Sequence, residues 1–161
     1  MAEGQISILA QRRIEAAFAR AVLAEMEAAI GPEAARAILS RAILRLAEEA
    51  GAALAAETPV PSLAHFAASL ERWCRDDALT IEVLRQDATH FDFNVTRCRY
   101  AETYRAMGLA ELGAILSCNR DGALCRGYHP ALKLERRQTI MEGAPCCDFR
   151  YRWEEEPAGG A

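Results

Sequence analysis

The sequence predicts an α+β fold, in which a mainly antiparallel four-stranded sheet is packed by helices and preceded by an N-terminal helical hairpin. Apolar residues recur at helical spacing in the first third of the chain and alternate with polar residues in separate runs after residue 79. These runs do not alternate regularly with helices, which argues against a doubly wound parallel sheet. We expect one domain, with a hairpin at 1–57, an α+β core at 62–153 and a mobile tail at 154–161.

Composition excludes several classes of protein. The chain has 161 residues, of which 52% are hydrophobic and 26% charged, as is typical of a globular domain. Its net charge is -4 and Lys133 is its only lysine, so no basic patch predicts a nucleic-acid partner. The N-terminus does not resemble a signal peptide and no apolar run is long enough to span a bilayer. We therefore expect a cytoplasmic protein without a membrane partner, in which the six cysteines stay reduced.

The N-terminal third predicts helices. The spacing predicts one amphipathic helix from about Gln5 to Ile30, a break at Gly31-Pro32, and a second helix to about Ala56. Ser62 is placed to cap a third helix that runs to about Cys74, with His65 solvated on its flank. The hairpin is expected to cover the sheet or to pack against a second subunit, so a homo-oligomer through these helices is an expectation.

The rest of the chain predicts four strands and two helices. Phe91, Phe93 and Val95 alternate with Asn94, Thr96 and Cys98, so one strand face is apolar and the other is either wet or a pocket wall. The same reasoning predicts strands at about 79–84, 132–141 and 146–153, and helices at about 99–107 and 109–125.

The helix after Gly108 carries the first candidate site. Glu111, Cys118, Asp121 and Cys125 are spaced to share one helix face, which places a thiol beside a carboxylate. A thiolate can act as a nucleophile, and a carboxylate can activate it or orient a water. The alternative is that the two cysteines are small core residues.

A metal site would need the ligand types of Cys118, Cys125 and His129 together with Asp121. Their spacing matches no established metal-binding pattern, and no dinucleotide, P-loop or serine-hydrolase motif is present. We expect neither a metal nor another cofactor.

A second candidate set lies on the strands. Asn94, Thr96 and Cys98 could converge with residues of the last strand, either Cys146 and Asp148 or Cys147. Because neighbouring strand residues point to opposite faces, only the pairing register decides between these alternatives.

Several separated motifs occur together in one order. They are Asn94-Val-Thr-Arg-Cys98-Arg-Tyr100, Leu109-Ala-Glu111-Leu112, Cys118-Asn-Arg-Asp121, the run at 137–143, and Cys147-Asp-Phe149. Over residues 60–153 this order resembles the L-2-amino-thiazoline-4-carboxylic acid hydrolase family. The resemblance implies a hydrolase for a small cyclic amidine-type carboxylate. Its namesake reaction opens 2-amino-thiazoline-4-carboxylate to N-carbamoyl-cysteine on a bacterial route to cysteine, by attack at the carbon between nitrogen and sulfur.

The resemblance also suggests roles. Cys98, Cys118, Asp121 and Cys147 match the family pattern. Cys118 is expected to be the nucleophile or acid, Asp121 to position or activate it, and Cys98 to be part of the same catalytic site. The expected substrate-binding residues are Asn94, Thr96, Arg137, Cys147 and Asp148.

Arg137 is the first candidate to hold a substrate carboxylate, followed by Arg97 and Arg150, because a guanidinium group matches both carboxylate oxygens. The alternative function is a binding or sensor domain that uses the same pocket without chemistry. A lowered thiol pKa at Cys118 or Cys98 would favour the enzyme, and ordinary thiols would favour the binding domain.

Overall fold

A helical hairpin forms the N-terminal part of the chain. The computed structural model describes residues 6–155, and its first two helices are α1 (Ile8–Ile30) and α2 (Pro32–Ala55). The Ser7 side chain caps α1 by accepting a hydrogen bond from the backbone N–H of Ala10 at 3.2 Å. Gly31 separates the helices at a φ of 86°, and Pro32 begins α2. The predicted hairpin is confirmed, although its first five residues and residues 156–161 of the predicted tail lie outside the described range.

Short helices connect the hairpin to the sheet. Ser62 caps α3 (Leu63–Ser69), as predicted, and α4 (Glu71–Cys74) follows, so the predicted third helix is divided at Leu70. A 3₁₀ turn at Arg75–Asp77 then leads to the first strand. No helix within residues 6–155 combines the length and the apolar character needed to cross a membrane.

The sheet has four antiparallel strands, as predicted. They are β1 (Leu79–Gln86), β2 (His90–Cys98), β3 (Leu132–Glu135) and β4 (Cys147–Trp153), in the spatial order β1-β2-β4-β3. β3 is shorter than the predicted strand at 132–141. The backbone N–H groups of Arg137 and Gln138 donate to the Asp148 carboxylate at 2.9 Å, so this segment does not continue as a strand. A 3₁₀ turn at Ile140–Glu142 follows.

The predicted helix at 109–125 is in fact three pieces. After α5 (Arg99–Ala106) come a 3₁₀ turn at Ala110–Leu112, a π-helical turn at Ala114–Cys118, and α6 (Arg120–Tyr128). The π turn is closed by the Asn119 N–H, which donates to the Ala114 carbonyl at 2.9 Å. Such a turn holds more residues than an α-helical turn and is frequent at functional sites. It leads directly into the Cys118–Asp121 segment.

Two apolar clusters stabilise the fold. The sheet cluster packs one face of the sheet against α2, α3 and α6, and includes Leu54, Leu63, Phe66, Phe93, Val95 and Tyr128. The hairpin cluster packs α1 and α2 against α5 and the π turn, and includes Leu9, Ala16, Leu23, Tyr104 and Leu116. Leu79 and Cys98 contact both clusters.

Helices α2 and α6 touch backbone to backbone through two glycines. A Cβ atom on Gly127 would lie 1.9 Å from the Glu48 carbonyl oxygen, and one on Gly51 would lie 2.2 Å from the Leu124 carbonyl oxygen. Neither contact involves a side chain that could move away. Glycine at these two positions therefore allows α6 to lie directly against the hairpin.

This contact predicts an effect on stability. Gly127→Ala should lower the free energy of unfolding by about 1–3 kcal/mol or more, because the new methyl group must push the two helix backbones apart. Gly122→Ala is the matched control on the same helix, since its Cβ would meet only the Arg126 side chain, at 3.9 Å. The free energy of unfolding of Gly122→Ala should rise by about 0.5–1 kcal/mol, because alanine has a higher helix propensity than glycine. Urea unfolding measures both, and equal effects would contradict the close contact.

Candidate active site

A cavity of about 100 Å³ lies between the hairpin, α6 and the inner face of the sheet. Residues of both apolar clusters form its walls, among them Ile8, Val95 and Phe149. Its polar lining consists mainly of three thiols, one carboxylate and three guanidinium groups, from Cys98, Cys118, Cys147, Asp121, Arg12, Arg120 and Arg136.

Asp121 and Arg136 form an ion pair at the cavity. Asp121 lies in the first turn of α6, and Arg136 directly follows β3. Arg136 Nη1 donates to Asp121 Oδ2, and both terminal nitrogens of Arg136 donate to the Cys118 carbonyl oxygen at 3.2 Å. Burial raises the pKa of Asp121 to about 6, although the Arg136 charge acts in the opposite direction. A carboxyl group with this pKa can accept and return a proton near neutral pH.

The thiols of the cavity are protonated at neutral pH. Burial raises the pKa of Cys118 to about 12, and the negative charge of Asp121 adds to this effect. Burial likewise raises the pKa of Cys147 to about 11 and raises the pKa of Cys98. The cavity therefore holds no preformed thiolate, and a nucleophilic role for any of these cysteines requires a base.

A β-bulge turns Cys98 into the cavity. Thr80 pairs with Arg97 and Ile81 with Val95, so Thr96 has no partner on β1. The extra residue shifts the alternation of side chains, and Cys98 lines the same cavity as Val95. This corrects the expectation that Asn94, Thr96 and Cys98 share one face, which assumed an uninterrupted strand.

The outer face of the sheet holds other predicted pocket residues. The Asn94 side-chain oxygen accepts a hydrogen bond from Arg150 at 3.0 Å, and Asp148 accepts those from the backbone of Arg137 and Gln138. The Thr96 hydroxyl is exposed and donates to the Thr80 carbonyl oxygen. These residues do not line the cavity, because the polar face of β2 and β4 is the one that the helices leave uncovered.

Arg137 is also on the outside. Its side chain is 80% exposed and pairs with Glu135 at 2.6 Å. It points away from the face of Leu132 and Leu134, as its sequence position predicts, but the cavity lies on the Leu face. This placement corrects the assignment of Arg137 to the pocket, where the neighbouring Arg136 is found instead.

The choice between the two adjacent cysteines is settled by register. Cys147 pairs with Val95, is buried and lines the cavity, and its sulfur accepts a hydrogen bond from the Ile140 N–H at 3.2 Å. Cys146 lies just before β4, where its sulfur accepts from the Gln138 side chain.

The residues of the metal hypothesis do not come together. The His129 ring stacks on Trp153 at 4.8 Å and its Nδ1 accepts from the Ala131 N–H, while Cys125 is buried in the sheet cluster. Glu111, predicted to share the face of Cys118, is exposed and lies 3.6 Å from Arg36. Within residues 6–155 no three His, Cys, Asp or Glu side chains are grouped as metal ligands would be.

Two further arginines of the site were missed by the sequence reasoning. Arg12 of α1 and Arg120 of α6 are largely buried and both bind Glu15, at 2.8 and 3.0 Å. A signal was present for Arg12, since it lies among the buried positions Leu9 and Ala16 of an amphipathic helix, where a charged residue is unusual.

The charges around the cavity favour an anion. Three arginines face it, and two carboxylates, Asp121 and Glu15, partner them. The cluster carries one net positive charge when Asp121 is ionised and two when Asp121 is protonated. A ligand with a carboxylate group would therefore balance the charge of the site.

The raised pKa of Asp121 makes stability depend on pH. The folded state holds this proton more tightly than the unfolded state, where the pKa is about 3.8. The contribution of Asp121 to the free energy of unfolding is therefore largest below that value and is lost as pH rises through about 6. The difference between wild type and Asp121→Asn should fall by up to about 3 kcal/mol from pH 4 to pH 7.

Asp148→Asn is the control with the opposite sign. Burial tends to raise the pKa of Asp148, but the backbone N–H groups of Gln138 and Arg137 outweigh it, so the pKa is lowered. The difference between wild type and this variant should grow as pH rises. Urea unfolding across this pH range measures both, and two flat profiles would contradict the raised pKa of Asp121 and the lowered pKa of Asp148.

Comparison with known proteins identifies the family. A model of the L-2-amino-thiazoline-4-carboxylic acid hydrolase family matches residues 11–151 of the 161-residue chain. A comparison with curated proteins found no significant match. The family match begins within α1 and ends in β4, so it covers Arg12 as well as the polar residues that α6 and the sheet contribute. The chain belongs to the L-2-amino-thiazoline-4-carboxylic acid hydrolase family, as its separated motifs predicted.

Proposed function

We propose that the protein is a hydrolase that opens a small cyclic amidine or thiazoline carboxylate at the carbon between nitrogen and sulfur. The name of the family indicates a hydrolase. The observation that carries the finer proposal is the position of Asp121, a carboxyl group with a pKa of about 6 in a small, positively charged cavity beside the Cys118 thiol.

The size of the cavity supports a single small ring as the substrate. An apolar cavity of roughly 150 Å³ binds benzene, so the cavity of about 100 Å³ suits a ring of that size or smaller. A second cavity of about 50 Å³ also borders Asp121, and its lining includes Phe66, Phe91 and Tyr151. A ring with one polar, charged edge and one apolar edge fits these surroundings.

The proposed reaction adds one water and breaks one C–S bond. The Cys118 sulfur attacks the ring carbon while its proton passes to Asp121. The tetrahedral species collapses, the ring C–S bond breaks, and Asp121 returns the proton to the departing sulfur. Water then attacks the carbon bound to Cys118, and the bond between this carbon and the Cys118 sulfur breaks. One water proton goes to the amidine nitrogen and the other to the Cys118 sulfur, which leaves the carbonyl group of the carbamoyl product and regenerates the thiol.

The pKa values support Asp121 as the proton carrier. Full transfer of the Cys118 proton to Asp121 before attack would cost roughly 8 kcal/mol, so the transfer must accompany bond formation. The second transfer is favourable, because the departing thiolate is a stronger base than the Asp121 carboxylate: an ordinary thiol has a pKa of about 8.5, against about 6 for Asp121. Asp121 thus suits both steps, whereas the Cys118 thiol is too weak an acid to protonate the leaving group.

Arg12 is the proposed partner of the substrate carboxylate. The donors of Arg136 are directed at the Cys118 carbonyl and Asp121, and those of Arg120 at the Leu116 carbonyl and Glu15. Arg12 contacts Glu15 through Nη1, while its Nε and Nη2 have no acceptor among the described residues. These two nitrogens form the planar edge that a carboxylate binds with two hydrogen bonds.

Substitution of Asp121 tests the mechanism. Asp121→Asn should lower kcat for ring opening of thiazoline carboxylates by about 10²–10⁴, because the variant cannot accept the proton. In the wild type, kcat/KM should rise with pH through about 6 as the carboxyl group ionises. Asp148→Asn, on the outer face, should leave turnover unchanged. Full activity of Asp121→Asn would exclude this role.

Cys118→Ala and Cys118→Ser extend the test to the nucleophile. Both should lose turnover. Mass spectrometry should show a covalent adduct in the wild type incubated with substrate and none in either variant. Retained turnover in Cys118→Ala alongside an inactive Asp121→Asn would assign the attack to a water activated by Asp121.

The raised thiol pKa values favour a second candidate function, a small-molecule binding or sensor domain. Ordinary or raised thiol pKa values are what a pocket without chemistry would show. A panel of cyclic amidines, ureas and thiazolines screened by thermal shift, with product analysis, separates the two, since a ligand of the native state stabilises it whether or not it reacts. Stabilisation without any product would support the sensor.

The substrate carboxylate gives a separate prediction. Arg12→Met should weaken substrate binding by roughly thirty- to a hundredfold, the effect of losing a charge-assisted bond worth about 2–3 kcal/mol. Arg137→Met is the matched control, since its side chain is on the outer face. Calorimetry measures the dissociation constants. Both substitutions are made in the Asp121→Asn variant, so that the substrate is bound but not converted during the measurement. Equal losses in both variants, or a loss in Arg137→Met alone, would remove Arg12 from the role.

A further inference from the structure

An apolar stripe runs along the outer side of α1. Ile14, Phe18 and Val22 are 63%, 73% and 40% exposed. They are four residues apart, so they lie on one side of the helix, and at about 100° per residue this side is opposite to the buried Ala16. Within residues 6–155 no other element covers Phe18 enough to bury it. A phenylalanine this exposed in the middle of a long helix marks an interaction surface.

The stripe is self-complementary. Gln11 lies seven residues before Phe18 and Glu25 seven residues after it, and both fall within about 20° of the line of Phe18. A two-fold axis at Phe18 would place Ile14 against Val22 of a second, antiparallel helix. The Gln11 amide donates one hydrogen bond to Glu15 of its own helix at 2.9 Å, and its second N–H would face the Glu25 carboxylate of the other subunit. A contact between identical subunits requires this pattern, in which each end of a patch complements the other.

The charges of the stripe argue against a lipid surface. Helices that lie on membranes carry Lys and Arg along their polar face, which anionic lipids attract. Helix α1 carries three arginines and three glutamates and is not basic, and the charged residue in line with the stripe is Glu25. A second copy of the chain fits the acceptor and the donor at the two ends, whereas an anionic lipid headgroup would meet the Glu25 carboxylate.

We propose that the protein forms a two-fold symmetric homodimer through the outer face of α1, with Phe18 at the axis. Another side of the same helix, about 80–120° from Phe18, faces the cavity with Ile8 and Arg12. One helix therefore serves the interface and the site with different residues, and the interface can be altered at Phe18 without changing Arg12 or its partner Glu15.

Sedimentation of the purified full-length chain through the micromolar concentration range tests the proposal. The wild type should sediment as a dimer. Phe18→Glu should raise the dissociation constant by about thirtyfold or more, since two charges would meet at the axis. Val60→Glu is the matched control, because Val60 is equally exposed, at 74%, and belongs to the connector before α3 and not to the stripe. A monomeric wild type, or the same dissociation constant for Phe18→Glu, would overturn the proposal.

A polarity swap tests the antiparallel arrangement. Gln11→Glu alone should weaken the dimer, because it places two carboxylates together at each end. The double variant Gln11→Glu/Glu25→Gln should recover the wild-type dissociation constant with donor and acceptor exchanged. A double variant as weak as the single one would overturn the arrangement. A monomeric wild type that floats with phosphatidylcholine vesicles containing phosphatidylglycerol would assign the stripe to membranes instead.

Discussion

The backbone contact between α2 and α6 is the constraint on which the site depends. Gly51 and Gly127 allow the two helices to approach until the carbonyl groups of one meet the Cα atoms of the other. A side chain at either position would hold them apart by the thickness of a methyl group or more. Because α6 carries Arg120 and Asp121 and the hairpin carries Arg12, the width of the cavity is set by this approach. The helices that precede the motif-bearing core are thus part of the site.

The cavity concentrates charge where apolar clusters would otherwise meet. Burial raises the pKa of Asp121 and of the three cavity thiols, while arginines from three separate segments surround them. Burial of these ionisable groups lowers the free energy of unfolding at neutral pH. A core that served only packing would contain apolar side chains at these positions. Perturbed carboxyl and thiol groups in a small enclosed space are characteristic of functional sites. The same burial that makes Asp121 a suitable proton carrier keeps Cys118 protonated.

Much of the fold follows from local patterns. Helical spacing and capping residues predicted the hairpin, the breaks at Gly31 and the cap at Ser62, since these depend on neighbours within one or two turns. Alternation predicted the four strands. The Cys118–Asp121 pair was also accessible to sequence reasoning, because residues three apart stay close in any helical turn. Sequence patterns did not predict the π turn, because it depends on an unusual local hydrogen-bond register. They also did not predict the early end of β3, because it depends on a hydrogen bond from Arg137 to Asp148 on another strand.

The sequence by itself determined the helical hairpin, the four strands, the family and the presence of a thiol beside a carboxylate. Only the tertiary structure decided which face of the sheet is the inside. Alternation separates two faces but does not say which one the helices cover, so the polar face of Asn94 and Asp148 was taken for the pocket. A single bulged residue at Thr96 then moved Cys98 to the covered face. Arg12 joins Asp121 from more than a hundred residues away, because the fold brings α1 and α6 to the same cavity.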